Sequence, residues 1–190
     1  MIQLYHDKII YSMEMKKMIQ KEKNASQHIN NDSYVANKIT ETLLDLLKKY
    51  DLNKISISVL CERAGVGRAS FYRNFNSKED VLKKYDQKLI ELWGKDYENN
   101  SSSTPETLVP SLVSHYKKNK VFYSILYREN LSYIVLDTIL YACKLQEKKS
   151  NIEAYTTACI GYGLFGIINE WIARGMTETE DELLKIIQKK

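Results

Sequence analysis

Arg68, Ser70, Tyr72, Arg73 and Asn74 fall within one seven-residue stretch, directly after Ala64-Gly65-Val66-Gly67. Guanidinium groups suit phosphate and guanine edges in bidentate fashion, and hydroxyls serve phosphate oxygens. Between Lys54 and Lys78 the chain carries Lys54, Arg63, Arg68, Arg73 and Lys78 against the single acid Glu62. That local +4 equals the net charge of the whole 190-residue chain. Catalytic sets are not apparent. The three His residues are isolated, and no Glu-x-x-His pair of the kind used in catalytic helical bundles occurs. The chemistry on offer is recognition of an anionic polymer, and no enzyme activity is expected.

Local signals position those side chains. Ser56 reads as the N-cap of a short helix over 57–64, stopped by Gly65. A second short helix is expected from Arg68 to Asn74. Ala64 allows close helix approach, Gly65 supplies the positive φ of a sharp turn, and Val66 plugs the angle between the helices. This is the logic of a helix-turn-helix, whose second helix enters the DNA major groove. Leu60, Val66, Phe71 and Phe75 recur at spacings of four to six and form its small core. Upstream, Asp32 or Ser33 would cap a helix with an apolar stripe at Val35, Ile39, Leu43, Leu46, Leu47 and Tyr50. Downstream, Ser77-Lys78-Glu79-Asp80 has capping-box form with Asp in place of the usual Glu. It opens a longer helix carrying Val81, Leu82, Tyr85, Leu89, Leu92 and Trp93. Phe71 reads as core, Tyr72 as a phosphate contact, and Arg63 as solvated or ion-paired.

The stretch from about Ser33 to Leu92 resembles the DNA-binding domain of TetR/AcrR-type transcriptional regulators. The resemblance rests on Ile55-Ser-Ile-Ser, Ala64-Gly-Val, Phe71-Tyr-Arg-Asn-Phe and Ser77-Lys-Glu-Asp-Val-Leu, in that order. It implies phosphate contacts from Ser56, Tyr72 and Lys78. It also implies base-edge approach by Gly67, Arg68, Ala69 and Ser70, with Ser58 helping and Arg73 on the same helix. Arg68 suits guanine and Ala69 a thymine methyl. Gly67 departs from the pattern, standing where such regulators usually carry a Ser or Asn cap. The segment Tyr162-Gly-Leu-Phe-Gly-Ile-Ile-Asn-Glu-Trp-Ile-Ala-Arg-Gly-Met also resembles the penultimate helix of a subgroup related to dihydroxyacetone-kinase-type regulators.

The rest of the chain reads as helical too. Glu98-Asn-Asn-Ser-Ser-Ser103 is the clearest linker, and helices are expected at about 105–118, 120–128, 131–147, 151–174 and 180–189. Only seven Gly and two Pro argue against an all-β chain rich in turns. Three well-separated cysteines, Cys61, Cys143 and Cys159, suggest neither a disulfide framework nor a zinc site. His115, Cys143 and Cys159 are too scattered to call a metal site. The longest apolar run, Ala158 to Ile168, is 11 residues, well short of the about 20 a membrane span needs. A cytoplasmic protein without cofactor or metal is therefore expected.

Gly161, Gly163 and Gly166 interrupt an apolar helix, each at a cost of about 0.8–1.0 kcal/mol. Close approach of a second copy would offset this, as would a bend or a packing notch within the chain. The resemblance implies the first, a homodimer through the last two long helices, with Trp171 on the interface. Tyr116, Tyr123, Tyr127, Tyr141 and Tyr162 would either line a small-molecule pocket or pack the bundle.

The expectation is thus an all-α chain. Residues 1–32 form an extension, flexible or helical. Residues 33–98 form the helix-turn-helix domain with its connecting helix, and 99–190 a helical bundle for effector binding and dimerisation. Its function would be a ligand-responsive repressor binding a palindromic double-stranded DNA operator as a dimer. The alternatives are a co-regulator of the same fold that has lost DNA binding, and a regulator or activator responding to a metal ion or a partner protein.

Overall fold

The computed structural model describes residues 34–143 and 150–188, so the 1–32 extension and the expected Asp32 or Ser33 cap lie outside the described residues. Helix α1 spans residues 34–47 and buries Ile39, Leu43, Leu46 and Leu47. Tyr50 lies beyond its end and is 46% exposed, so the apolar stripe closes at Leu47. A single 3-10 turn, Leu52–Lys54, leads into α2, Ile57–Ala64. Ile55, Ile57 and Val59 alternate with Ser56 and Ser58 in sequence, yet the chain is helical from Ile57 on.

Caps explain the boundaries of the next three helices. Ser56 Oγ accepts from the Val59 N–H at 3.2 Å at the start of α2. Gly65 ends that helix at φ 67°, and the Val66 N–H donates to the Cys61 carbonyl at 3.0 Å. A residue with a Cβ would be strained at this φ, which is why glycine stands there. Helix α3, Arg68–Asn74, starts from Gly67, which provides no side-chain cap. Helix α4, Lys78–Asn99, is capped by Ser77, whose Oγ accepts from the Asp80 N–H at 3.1 Å. Asp80 reaches back one residue further than a capping-box Glu, accepting from the Asn76 N–H at 2.9 Å.

The second unit is a bundle. Helix α5 is Pro105–Lys118, α6 Lys120–Arg128, α7 Ser132–Ala142, α8 Asn151–Ala173 and α9 Glu180–Gln188. Thr104 with Thr107, Ser150 with Glu153 and Thr179 with Glu182 cap α5, α8 and α9. The helix expected over 131–147 is described only to Ala142, since 144–149 lie outside the described residues. α7 packs against both α4 and α8, α6 against α8, and α5 against α9.

Helix α4 serves both units, which share one continuous apolar core. Its first turns bury Val81 and Leu82 in this core, and Asp86 and Ile90 are buried further along. Among the described residues no helix is long and apolar enough to cross a membrane.

Candidate nucleic-acid interface

α3 is short, and a single buried aromatic fixes its rotation. Phe71 is fully buried and packs on Phe75 with ring centroids 5.9 Å apart. At about 100° per residue, Arg68, Tyr72, Ala69 and Arg73 then occupy one continuous arc of roughly 140°, which begins about 60° from Phe71 and runs round to the far side of the helix. All four are exposed, Tyr72 at 58%. The Tyr72 ring stands edge-on to Phe71 at 5.4 Å, which steadies it while its hydroxyl faces outward from the core. Ser70 is half-buried at the flank, where its Oγ accepts from Arg73 Nη2 at 3.0 Å. Gly67 is exposed at the N-cap of α3, and Ser56 and Ser58 are exposed at the N-cap and in the first turn of α2. Arg63 is exposed on α2. Lys54 is exposed too and pairs with Asp51 at 2.7 Å, which raises its pKa and lowers that of Asp51.

Lys78 is engaged within the chain. Its ammonium donates to the carbonyls of Leu52, at 2.5 Å, and Ile55, at 2.6 Å, and the side chain is half-buried. Two of its three N–H donors therefore hold the 3-10 turn against the start of α4. This is a positioning bond for Ser56 and α2, leaving one donor for anything outside.

The same turn is gripped from the bundle. Glu129 accepts the Leu52 N–H at 2.9 Å, and Arg128 donates to the Leu47 carbonyl at 2.6 Å and to Glu129 at 2.9 Å. Lys83 pairs with Asp137 at 2.7 Å, joining α4 to α7. The end of α6 is thus bonded to Leu47 at the end of α1 and to Leu52 in the 3-10 turn that precedes α2. The local sequence pattern carries no signal for this pair of residues, Arg128 and Glu129. Glu129→Ala would leave the buried Leu52 N–H without a partner and cost about 1–3 kcal/mol. Glu129→Gln keeps an acceptor oxygen and should cost less than half as much. Urea denaturation of both variants checks this, and equal losses would show that the bond is not what matters.

The expected ligand and interface residues scatter. Tyr116 and Tyr123 are fully buried, whereas Tyr127, Tyr141 and Tyr162 are 43%, 63% and 53% exposed, so the five do not converge on one pocket. Three surface hollows of about 490, 570 and 600 Å³ are lined by other residues. Gly161 is a notch within the chain: a Cβ there would lie 2.9 Å from Leu140 Cδ2 of α7. Trp171 is 2% exposed and belongs to the chain's own core, with the Lys117 ammonium 5.3 Å above its ring. Both therefore depart from the expected placement on an interface between copies. Gly163 and Gly166 are exposed and face open space. Gly166, Ile167 and Ile186 help line the 600 Å³ hollow between α8 and α9.

Inside the bundle a buried polar group stands out. Asp86 of α4 is fully buried, and among the described residues no donor makes a hydrogen bond to either carboxylate oxygen. Burial pushes its pKa up to about 6, partly offset by the Thr138 and Tyr123 hydroxyls, whose approach is too long or oblique for a hydrogen bond. His115, 7% exposed, meets the Tyr123 hydroxyl at 3.0 Å, and burial together with the nearby Lys118 pushes its pKa down to about 4. The sequence offered a signal for Asp86: it sits four residues after Leu82 and four before Ile90, on the buried stripe of α4. Among the described residues no group of three or more His, Cys, Asp or Glu side chains is placed to hold a metal ion.

Residues 39–85 match the family model described as bacterial regulatory proteins, tetR family. The matched segment runs from α1 through α2 and α3 into α4. Over these residues the chain is thus similar to the N-terminal helix-turn-helix segment of that family. The fold is also similar to the crystal structure of Lin0861 from Listeria innocua, with a TM-score of 0.69 and 19% identity over 83% of this chain and 88% of that one. No curated protein matches the sequence significantly.

Proposed function

We propose that this protein is a ligand-responsive transcriptional repressor that binds a palindromic operator as a homodimer, reading DNA with residues 33–98 and sensing and dimerising with 99–190. The observation that carries the reading is the exposed arc of Arg68, Ala69, Tyr72 and Arg73, held outward by the burial of Phe71. Tyr72, Ser56 and the helix N-termini would position the phosphates. Arg68 and Ala69 would meet base edges, with Gly67, Ser58 and Ser70 beside them. Lys78 would act chiefly by holding the turn, with one donor left for a phosphate.

A homodimer would use α8 and α9. Ile160, Tyr162 and Ile186 are 54%, 53% and 59% exposed, next to the hollow that Gly166 opens. An apolar surface of this kind supports burial against a second copy. Two copies of α3 would then fall about 34 Å apart, one turn of duplex. The sequence of the Tyr162–Met176 segment supports placement in the subgroup related to dihydroxyacetone-kinase-type regulators.

Salt dependence of binding to genomic duplex fragments tests the DNA reading. A protein neutralising several phosphates should lose affinity log-linearly with salt, with a slope of about −0.9 per phosphate. Tyr72→Phe should weaken binding by roughly three- to tenfold without changing which fragments are preferred, since one phosphate hydrogen bond is worth about 0.5–1.5 kcal/mol. Binding that is weak at low salt and indifferent to fragment would favour the co-regulator without DNA recognition.

A further inference from the structure

Two of the surface hollows are parts of one groove. The hollows of about 570 and 490 Å³ share Glu41, Leu44 and Tyr85 in their walls. Along α1 the lining recurs at Ala36, Thr40, Leu44 and Lys48, every fourth residue, so the groove follows one face of that helix for about 18 Å. The end of α3, with Phe75, and α4, with Tyr85, wall its first half. The α5–α6 corner, with Phe122 and Ile125, walls its second half. The floor is thus apolar, and Val121 at the far rim is 63% exposed. The rim is basic. Glu41 faces Lys38 at 3.9 Å, Asp45 pairs with Lys48 at 2.7 Å, and Lys84 pairs with Asp80 at 3.2 Å. Lys88 at one end, with Lys118 and Lys120 at the other, then gives the rim its excess of positive charge.

We infer that this groove is the docking site of the chain's own N-terminal segment, residues 2–15. The described chain begins at Tyr34, two residues before Ala36, so the 33 preceding residues issue from the mouth of the groove. Their composition divides them. Positions 2–19 hold ten apolar or aromatic residues, whereas 20–33 hold two, Ala25 and Ile29. The 14-residue polar stretch can span up to about 45 Å, so it reaches either end of the groove. Within the apolar stretch Ile2, Tyr5, Ile9 and Met13 recur at the spacing of one helix face, over about 17 Å, which matches the length of the groove. Asp7 and Glu14 against Lys8 give residues 2–15 a net charge of −1, opposite to the rim. Lys16, Lys17, Lys21 and Lys23 all fall after that segment. An apolar face laid into a groove, with charges matched at its edges, is a recurring mode of peptide recognition. Docked, the segment would strap α1 to the α5–α6 corner and back the end of α3.

A nitroxide carried by the segment tests this in the full chain. Ser12→Cys takes the label, with Cys143→Ser and Cys159→Ser removing competing thiols, while Cys61 is buried. Methyl resonances of the same chain then report where the label lies. Peak intensities of Leu44, Val121 and Ile125 should fall at least fourfold relative to the reduced label. Those of Ile160 and Ile186, exposed on α8 and α9, should keep theirs. Adding Ile9→Asp and Met13→Asp should restore the groove signals, and neither position lies in the described core. Groove methyls untouched by the label would overturn the inference, as would broadening that persists in the Asp variant. Broadening seen only between a labelled chain and a separate methyl-labelled chain would make a second copy's segment the occupant, against the inference. Broadening that appears only once duplex DNA is added would make the segment a DNA-binding arm, which also overturns it.

Discussion

Replacing Asp86 with Asn should make the protein more stable at pH 7.5, by about 2–3 kcal/mol. The shift of the Asp86 pKa from 3.8 to about 6 means that the folded chain holds the charged carboxylate against its preference. At about 1.4 kcal/mol per pKa unit the penalty is about 3 kcal/mol, of which the burial of a neutral amide gives some back. A chain of this size gains roughly 2–4 °C in Tm per kcal/mol, so the expected rise is about 4–12 °C.

The pH dependence carries the sharper signature, because Asp86 and His115 act in opposite directions over one window. Asp86 binds its proton more tightly when folded. Its contribution is therefore favourable below pH 3.8 and is lost as pH rises through about 6. His115, depressed to about 4, favours the folded state fully above 6.5 and loses that contribution as pH falls through about 4. Between pH 6.5 and 4 the two trends nearly cancel in the wild type. Asp86→Asn removes one of them, so its stability should fall by about 3 kcal/mol between pH 7 and pH 4. His115→Asn should show the reverse, a gain on acidification. Urea denaturation across this range measures both, and a flat profile for Asp86→Asn would contradict the account of the buried pair.

The second large effect concerns recognition. Arg68→Ala should weaken operator binding by about tenfold to a hundredfold, equivalent to about 1–3 kcal/mol for one bidentate base contact. The loss should be concentrated on fragments carrying the preferred base, so that preference itself declines. Tyr72→Phe is the contrast, since a phosphate contact lowers affinity evenly across sequences. Competition between preferred and scrambled duplexes separates the two outcomes. If Arg68→Ala lowered both affinities alike, Arg68 would be a phosphate ligand and base reading would lie with other residues.

Much of the DNA-binding unit was legible because its determinants are local. Ser56, Gly65 and Ser77 set helix ends through bonds to residues three or four positions away, and Phe71 fixes the rotation of α3 by its own burial. Lys78 shows where such reading stops. In sequence it is a lysine at a helix start, suited to phosphate. Its partners, the carbonyls of Leu52 and Ile55, lie 26 and 23 residues upstream and become visible only when the chain folds back.

The bundle was less legible for a related reason. All of its helices carry tyrosine or other amphipathic residues, and composition does not say which face turns inward. Tyr116 and Tyr123 turn in and Tyr141 and Tyr162 turn out, because the first pair lies where α5 and α6 enter the shared core. Gly161 meets Leu140 of its own chain, one of the alternatives the sequence had left open. Asp86 is hard to read because a charged residue in an amphipathic helix ordinarily belongs to the solvated side, although its spacing from Leu82 and Ile90 puts it on the buried one.

Selection of duplexes from a random library by the purified chain at about 100 mM salt tests the account at its centre, which is that the arc around Arg68 and Tyr72 lies in a major groove. The predicted result is an enriched, two-fold symmetric motif with half-sites about one helical turn apart, blurred at specific positions when Arg68→Ala is used. A library that emerges unenriched, or a motif identical for wild type and Arg68→Ala, would contradict it.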